Sequence, residues 1–241
     1  MSQELAPGVT RLPVRRRHRL ARWLVLAGIV VVLGLVLVLL YLTPVLKVTS
    51  VKVEGTRLAD HSKVQAMLDP LEGQPLAKVS TREVERLVAD EPAIRDLRLG
   101  LRGAHSVTVT VVEHREVAVL KEGKAFYLVG DNGAKLKRIS KDETRKLPVV
   151  NLDAEDPDGK IFDTVIHALA QLPTDVLSKL KSAGAGSVDS VTFTLNDRRT
   201  VVWGDSSDGV LKAAALQTLL AKGGPKDKII DVSTPSRPVT R

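Results

Sequence analysis

The sequence predicts an α+β chain: a single transmembrane helix, then a β-α-α-β-β unit, then a second unit of mixed, mostly β character. Three observations carry the prediction. The 20 residues from Trp23 to Leu42 hold no charge and are almost all Leu, Val, Ile, Ala or Gly. Strict apolar–polar alternation recurs at 107–111 and 191–195, which is the period of a half-buried strand. Apolar residues instead repeat at helical spacing over 84–88 and 161–172.

A helix of that apolar length covers about 30 Å, the hydrocarbon thickness of a bilayer. Arg15, Arg16, Arg17, Arg19 and Arg22 crowd its N-terminal side, and only Lys47 lies close on the other. The positive-inside rule therefore keeps residues 1–22 in the cytoplasm and exports residues 43–241. Trp23 and Tyr41 bracket the run as interfacial anchors. A cleaved signal peptide is the competing reading, but its apolar core is shorter, and Tyr41-Leu42-Thr43-Pro44 offers no small-x-small cleavage site.

Past Thr43-Pro44, Val48, Val51 and Val53 sit among polar residues and end at Gly55, a strand followed by a turn. Asp60 can cap a short helix that turns Val64, Met67 and Leu68 inward before Pro70. After Gly73-Gln74-Pro75, Ser80 and Glu83 form the pattern of a capping box for a helix burying Val84, Leu87 and Val88. Ile94 to Leu101 and Val107 to Val111 are the next two strands.

Beyond residue 117 short strands dominate: 117–120, 125–129, a turn at Asp131-Asn132-Gly133, then Leu136 and Ile139, and an extended piece at 147–150. A helix spans 161–172 and is stopped by Pro173. Strands follow at 191–195 and 200–203, a helix at 209–220, and a last strand at 229–233 before Pro235 and Pro238.

The net charge of +8 is concentrated in the tail, where six arginines face one glutamate. The part after residue 42 carries 30 basic and 27 acidic residues, so nucleic acid is not an expected partner. With no cysteine, a disulfide framework, a thiolate metal site and a cysteine nucleophile are excluded. The five histidines are scattered, and none pairs at metal-ligand spacing. Gly184-Ala185-Gly186-Ser187 reads as a surface loop, and the acidic run 153–159 carries Pro157 where calcium would need an oxygen ligand. Glu113 and Glu116 read as surface charges and not as an acid–base pair. No catalytic residue, cofactor, metal or small-molecule substrate is predicted.

In this order the parts resemble the bacterial divisome family FtsQ/DivIB. Val51-Lys52-Val53-Glu54-Gly55 is similar to the family's first-strand ending, and Gly73-Gln74-Pro75-Leu76 to its Gly-x-x-Leu turn. Glu91-Pro92-Ala93-Ile94 stands where the family has a Pro-Trp-Val-like segment. Val112-Glu113-His114-Arg115-Glu116-Val117-Ala118 resembles Val-Glu-Arg-x-Pro-Val-Ala, and Ile230-Asp231-Val232-Ser233-Thr234-Pro235 resembles the terminal Asp-Val-Arg-Val-Pro strand. Asp131-Asn132-Gly133 and Leu147-Pro148 sit where the second domain has Asp-x-Gly and Leu-Pro. The chain departs from the pattern at Ala93, Gly103-Ala104, Glu116, Ser233 and Thr234.

The resemblance implies a cytoplasmic tail at 1–22, a span at 23–42, a polypeptide-transport-associated (POTRA) domain at 43–116, a β domain at 117–234 and a tail at 235–241. It implies a non-enzymatic scaffold at the division septum that binds the small bitopic proteins FtsL and FtsB (DivIC), and further FtsW and FtsI, and helps regulate septal peptidoglycan synthesis. The terminal strand is expected at a sheet edge, where unpaired backbone groups can template another strand. Its candidate contact residues are Ile229, Ile230, Val232, Thr234, Ser236 and Arg237, with Ile230, Val232 and Thr234 setting specificity. The alternative is an edge shielded by Pro235 and Pro238. A rival function is an anchored transport or secretion component whose POTRA-like domain handles extended polypeptides, and a wall hydrolase lacks any candidate acid or nucleophile.

Overall fold

The computed structural model describes residues 17–42, 47–103, 105–144, 147–151, 158–221 and 228–241, with the side chains of 17–20, 37 and 39–42 outside that description. Arg15 and Arg16 and most of the acidic run thus lie outside the described residues. The described chain is mixed α+β, as predicted.

Helix α1 runs unbroken from Arg17 to Leu42, 26 residues or about 39 Å. Its described apolar side chains, Trp23 to Val38, are exposed around the whole circumference. Among the described residues no helix is long and apolar enough to cross a membrane. The charge-free run read from the sequence continues past the described side chains to Leu42.

The β-α-α-β-β order is present. β1 (Ser50–Glu54), α2 (His61–Leu68), α3 (Thr81–Leu87), β2 (Ile94–Arg102) and β3 (Ser106–Glu113) build a three-stranded sheet of order β1-β3-β2. β1 runs parallel to β3 and β2 antiparallel to it. Alternation aims Val51, Val53, Val107, Val109 and Val111 at one face, where Val64, Leu68, Leu71, Val84 and Val88 cover them. Asp60 caps α2 by accepting from the N–H groups of Ser62 and Lys63. Ser80 caps α3 through the Glu83 N–H, but the Glu83 carboxylate pairs with Arg86 at 2.6 Å. A complete capping box, not anticipated, is formed instead by Ser140 and Glu143. Gly55 has φ +91°, and a Cβ there would collide with the Val111 carbonyl oxygen, so the turn after β1 admits no side chain.

Nine strands form the second sheet, in the order β12-β11-β10-β9-β8-β7-β4-β5-β6. These are β4 (Glu116–Glu122), β5 (Ala125–Gly130), β6 (Lys135–Ile139), β7 (Val149–Asn151), β8 (Leu180–Ala185), β9 (Val191–Leu195), β10 (Thr200–Gly204), β11 (Ile229–Asp231) and β12 (Val239–Thr240). α4 (Lys160–Ala170), α5 (Thr174–Leu177) and α6 (Gly209–Ala221) supply its helices. β8 corrects the reading of Gly184-Ala185 as loop: the pair closes a strand between β7 and β9. β4 is buried on both faces, which explains its unbroken apolar run. Ala118 and Leu120 join the core beneath α4, while Val119 joins Leu128, Leu136 and Ile139 in the cluster of the first sheet.

Where β3 passes into β4, three consecutive side chains, 113–115, make hydrogen bonds. The Glu113 carboxylate accepts from the N–H groups of Arg57, Leu58 and Ala59 at 2.8, 2.8 and 2.9 Å. His114 Nδ1 lies 2.7 Å from Asp131. The Arg115 guanidinium donates to the Ala170 and Leu172 carbonyls at the end of α4, and Glu116 lies 3.8 Å from Arg57. Glu113 therefore ties β3 to the loop between β1 and α2, and Glu116 of β4 is partly buried beside that loop, which corrects their reading as surface charges.

Candidate partner-binding edge

The terminal segment forms one side of the second sheet, next to β10. β10 pairs on one side with β9 and on the other, in parallel, with β11, where Val201 lies opposite Ile230. The Val232 N–H extends the ladder by donating to Val202 O at 3.0 Å. Ile230 and Val232 are wholly buried, in one cluster with Phe193, Val201 and Trp203.

Asp231 ends the strand by accepting from the Ser233 N–H and hydroxyl, at 3.0 and 2.7 Å. The chain then turns, with Arg237 N–H donating to Thr234 O, and comes back antiparallel as β12. Ile229 and Arg241 exchange two backbone hydrogen bonds, of 2.8 and 3.0 Å.

Two expectations are corrected here. β11 is one strand in from the edge, because the two-proline tail reverses and covers it. Ile230 and Val232 point into the core, so a partner cannot read them; the two-residue alternation that would present them outward in fact turns them inward. Thr234, Ser236 and Arg237 are exposed and Ile229 is half-buried. The outermost strand is the two-residue β12, whose Val239 is 53% exposed. Sequence reasoning missed β12, since Pro238-Val239-Thr240 is too short to show a period. Of the arginines flanking α1, Arg17, Arg19 and Arg22 lie on the helix, and the Arg22 side chain is exposed.

Near this edge Lys212 is fully buried, and its ammonium donates to the Asp205 carboxylate at 2.8 Å and the Asp205 carbonyl at 3.0 Å. The Lys212 ammonium, with the Ser207 hydroxyl and N–H, holds the Asp205 carboxyl at about 2. The pair fixes α6 to the end of β10, and with it the sheet end that carries β11 and β12. Among the described residues no group of His, Asp and Glu gathers as a metal site.

Residues 118–233 match the family model of the C-terminal region of cell division protein FtsQ/DivIB. A cell division protein FtsQ of Streptomyces bingchenggensis is 32% identical over 237 residues, covering 93% of this chain and 88% of the relative. The chain belongs to the FtsQ/DivIB family. FtsQ of Streptomyces coelicolor is 28% identical, covering 99% and 94%, and FtsQ of Mycobacteroides abscessus is 27% identical, covering 99% and 74%. The major extracytoplasmic domain of DivIB from Geobacillus stearothermophilus aligns with 47% of this chain at 22% identity and a TM-score of 0.33. Membership in the FtsQ/DivIB family implies a role in the division machinery.

Proposed function

We propose that the chain is a non-enzymatic divisome scaffold, held by one span at 23–42 with residues 1–22 in the cytoplasm and the rest outside. In this reading 43–116 form a POTRA-like domain and 117–234 the partner-binding β domain. The chain concentrates at the septum, binds FtsL- and FtsB (DivIC)-type proteins, engages FtsW and FtsI with them, and regulates septal peptidoglycan synthesis.

The observation that carries the assembly mechanism is the short outer strand β12, whose outward backbone groups have no neighbouring strand among the described residues. A partner strand adding there gains main-chain hydrogen bonds, with Arg237, Val239 and Arg241 as exposed determinants. The span supports the mechanism by confining both partners to one plane, which raises their effective concentration. What supports the span is the apolar surface that the described side chains from Trp23 to Val38 present around α1, suited to lipid and unsuited to water. The arginines on its N-terminal side support the orientation.

A fluorescent fusion is expected to form a band at the division site, and depletion to block septation and yield filaments or chains of undivided cells. Even peripheral fluorescence together with normal division after depletion would reject the proposal. Co-purification of export-machinery subunits in place of division proteins would favour the transport reading.

A further inference from the structure

The registers of the first sheet bring Ser50, Ser106 and Arg102 to one end of it. That end is the one next to α1. Only residues 43–46 separate Leu42 from Lys47, which already bridges Pro75, so the reach between them is at most about 18 Å.

The emerging segment is also clamped. Thr49 donates to the His105 carbonyl from its N–H at 2.8 Å and its hydroxyl at 3.2 Å, and His105 Nδ1 lies 3.1 Å from Lys47 O. On its other side Val48 N–H donates to Gln74 O, and Gly73 N–H to Val48 O. The tip of the β2–β3 hairpin is thereby fixed to the chain that leaves α1.

This tip carries an apolar side chain that the fold leaves uncovered. Leu97, Leu99 and Leu101 share a face of β2, yet exposure rises along the row from 6% at Leu97 to 63% at Leu101, where the helical layer ends. Arg102, the next residue of β2, is exposed, and so is Lys47, whose carbonyl lies against His105 of the same tip; Glu72, beside the Gly73 that bonds Val48, offsets part of their charge. An exposed leucine with cations at the same end of the sheet, four residues from a helix that enters a bilayer, matches the chemistry of a lipid interface.

We propose that the β2–β3 hairpin tip docks into the headgroup layer of the bilayer that α1 enters, with Leu101 in the interface and Lys47 and Arg102 against lipid phosphates. The proposal rests on the membrane span argued above. Docking fixes the height and tilt of the first sheet, so β12 is presented at a set distance from the membrane.

The native chain has no cysteine, so single cysteines report cleanly. The full chain is reconstituted in vesicles of phosphatidylglycerol and phosphatidylcholine with a spin label at Leu101→Cys, at Val30→Cys on α1, or at the exposed Val188→Cys. Accessibility to oxygen and to a water-soluble nickel chelate is then measured. Labels at 30 and 101 are expected on the lipid side and the label at 188 in water. Lys47→Glu and Arg102→Glu should each lower the docked-to-undocked ratio at 101 by roughly fivefold. Arg98→Glu, about 13 Å further along the strand, should change it little. A label at 101 as water-accessible as that at 188, with 30 in lipid, overturns the docking alone. Lipid shielding of 101 that survives both reversals overturns it too, while a water-accessible 30 overturns the span and the docking together.

Discussion

At the scale of the residue, Glu113 and the ion pair of Lys212 with Asp205 carry the sharpest consequences. Glu113 satisfies three backbone N–H groups that no secondary structure pairs, so Glu113→Ala is expected to cost about 2–3 kcal/mol. Glu113→Gln, which keeps an acceptor, should cost less. Urea unfolding of the detergent-solubilised chain, followed by Trp203 fluorescence in a Trp23→Phe background, measures both. Asp205 is held charged by the hydrogen bonds of Lys212 and Ser207. Its folded value, about 2, lies below the unfolded value, so its contribution is present above about pH 4 and is lost as pH falls toward about 2. The unfolding midpoint should therefore drop more steeply over that window in the native chain than in Asp205→Asn. Neither role was legible in the sequence. The partners of Glu113 lie 54 to 56 residues away, and Lys212 occupies a helix position that its charge would assign to solvent.

At the scale of the element, most helices and strands were legible where their periods are regular and their caps local. Asp60 and Gly55 begin and end elements where the sequence predicts it, whereas α4 stops at Ala170 and Pro173 opens the short α5, which was not anticipated. What escaped was set by distant pairing. Leu180 to Ala185 has no β-branched residue, and its strand character comes from lying between β7 and β9. β12 exists because the tail finds the open side of β11. Truncation after Thr234 tests that relation. It removes the cover of β11 but leaves Ile230 and Val232 buried against β10 and its core, so stability should fall by only about 1–2 kcal/mol. If partners add to β12, the same truncation should abolish co-purification of the division partners from a folded chain. Undiminished co-purification would mean that they bind elsewhere.

At the scale of the whole molecule, the α+β class and the β-α-α-β-β order of the first unit were legible, whereas the single nine-stranded sheet was not. Its parallel registers, β4 with β7, β7 with β8 and β10 with β11, join segments that share no local signal. The shared apolar cluster between the two sheets was equally hidden, because Val119 and Leu128 look like any strand residues. Orientation is testable at this scale. In intact cells a membrane-impermeant maleimide should label Val188→Cys and spare Thr10→Cys, and the reverse pattern would invert the topology. The central claim, a scaffold that recruits division proteins through its outermost strand, is tested most directly by photocrosslinking at single positions from Ile229 to Arg241 in growing cells. Small bitopic division proteins should be captured at Arg237, Val239 and Arg241, with low yield at Thr240 and none at the buried Ile230 and Val232. Capture of no division protein at any of these positions would contradict the claim.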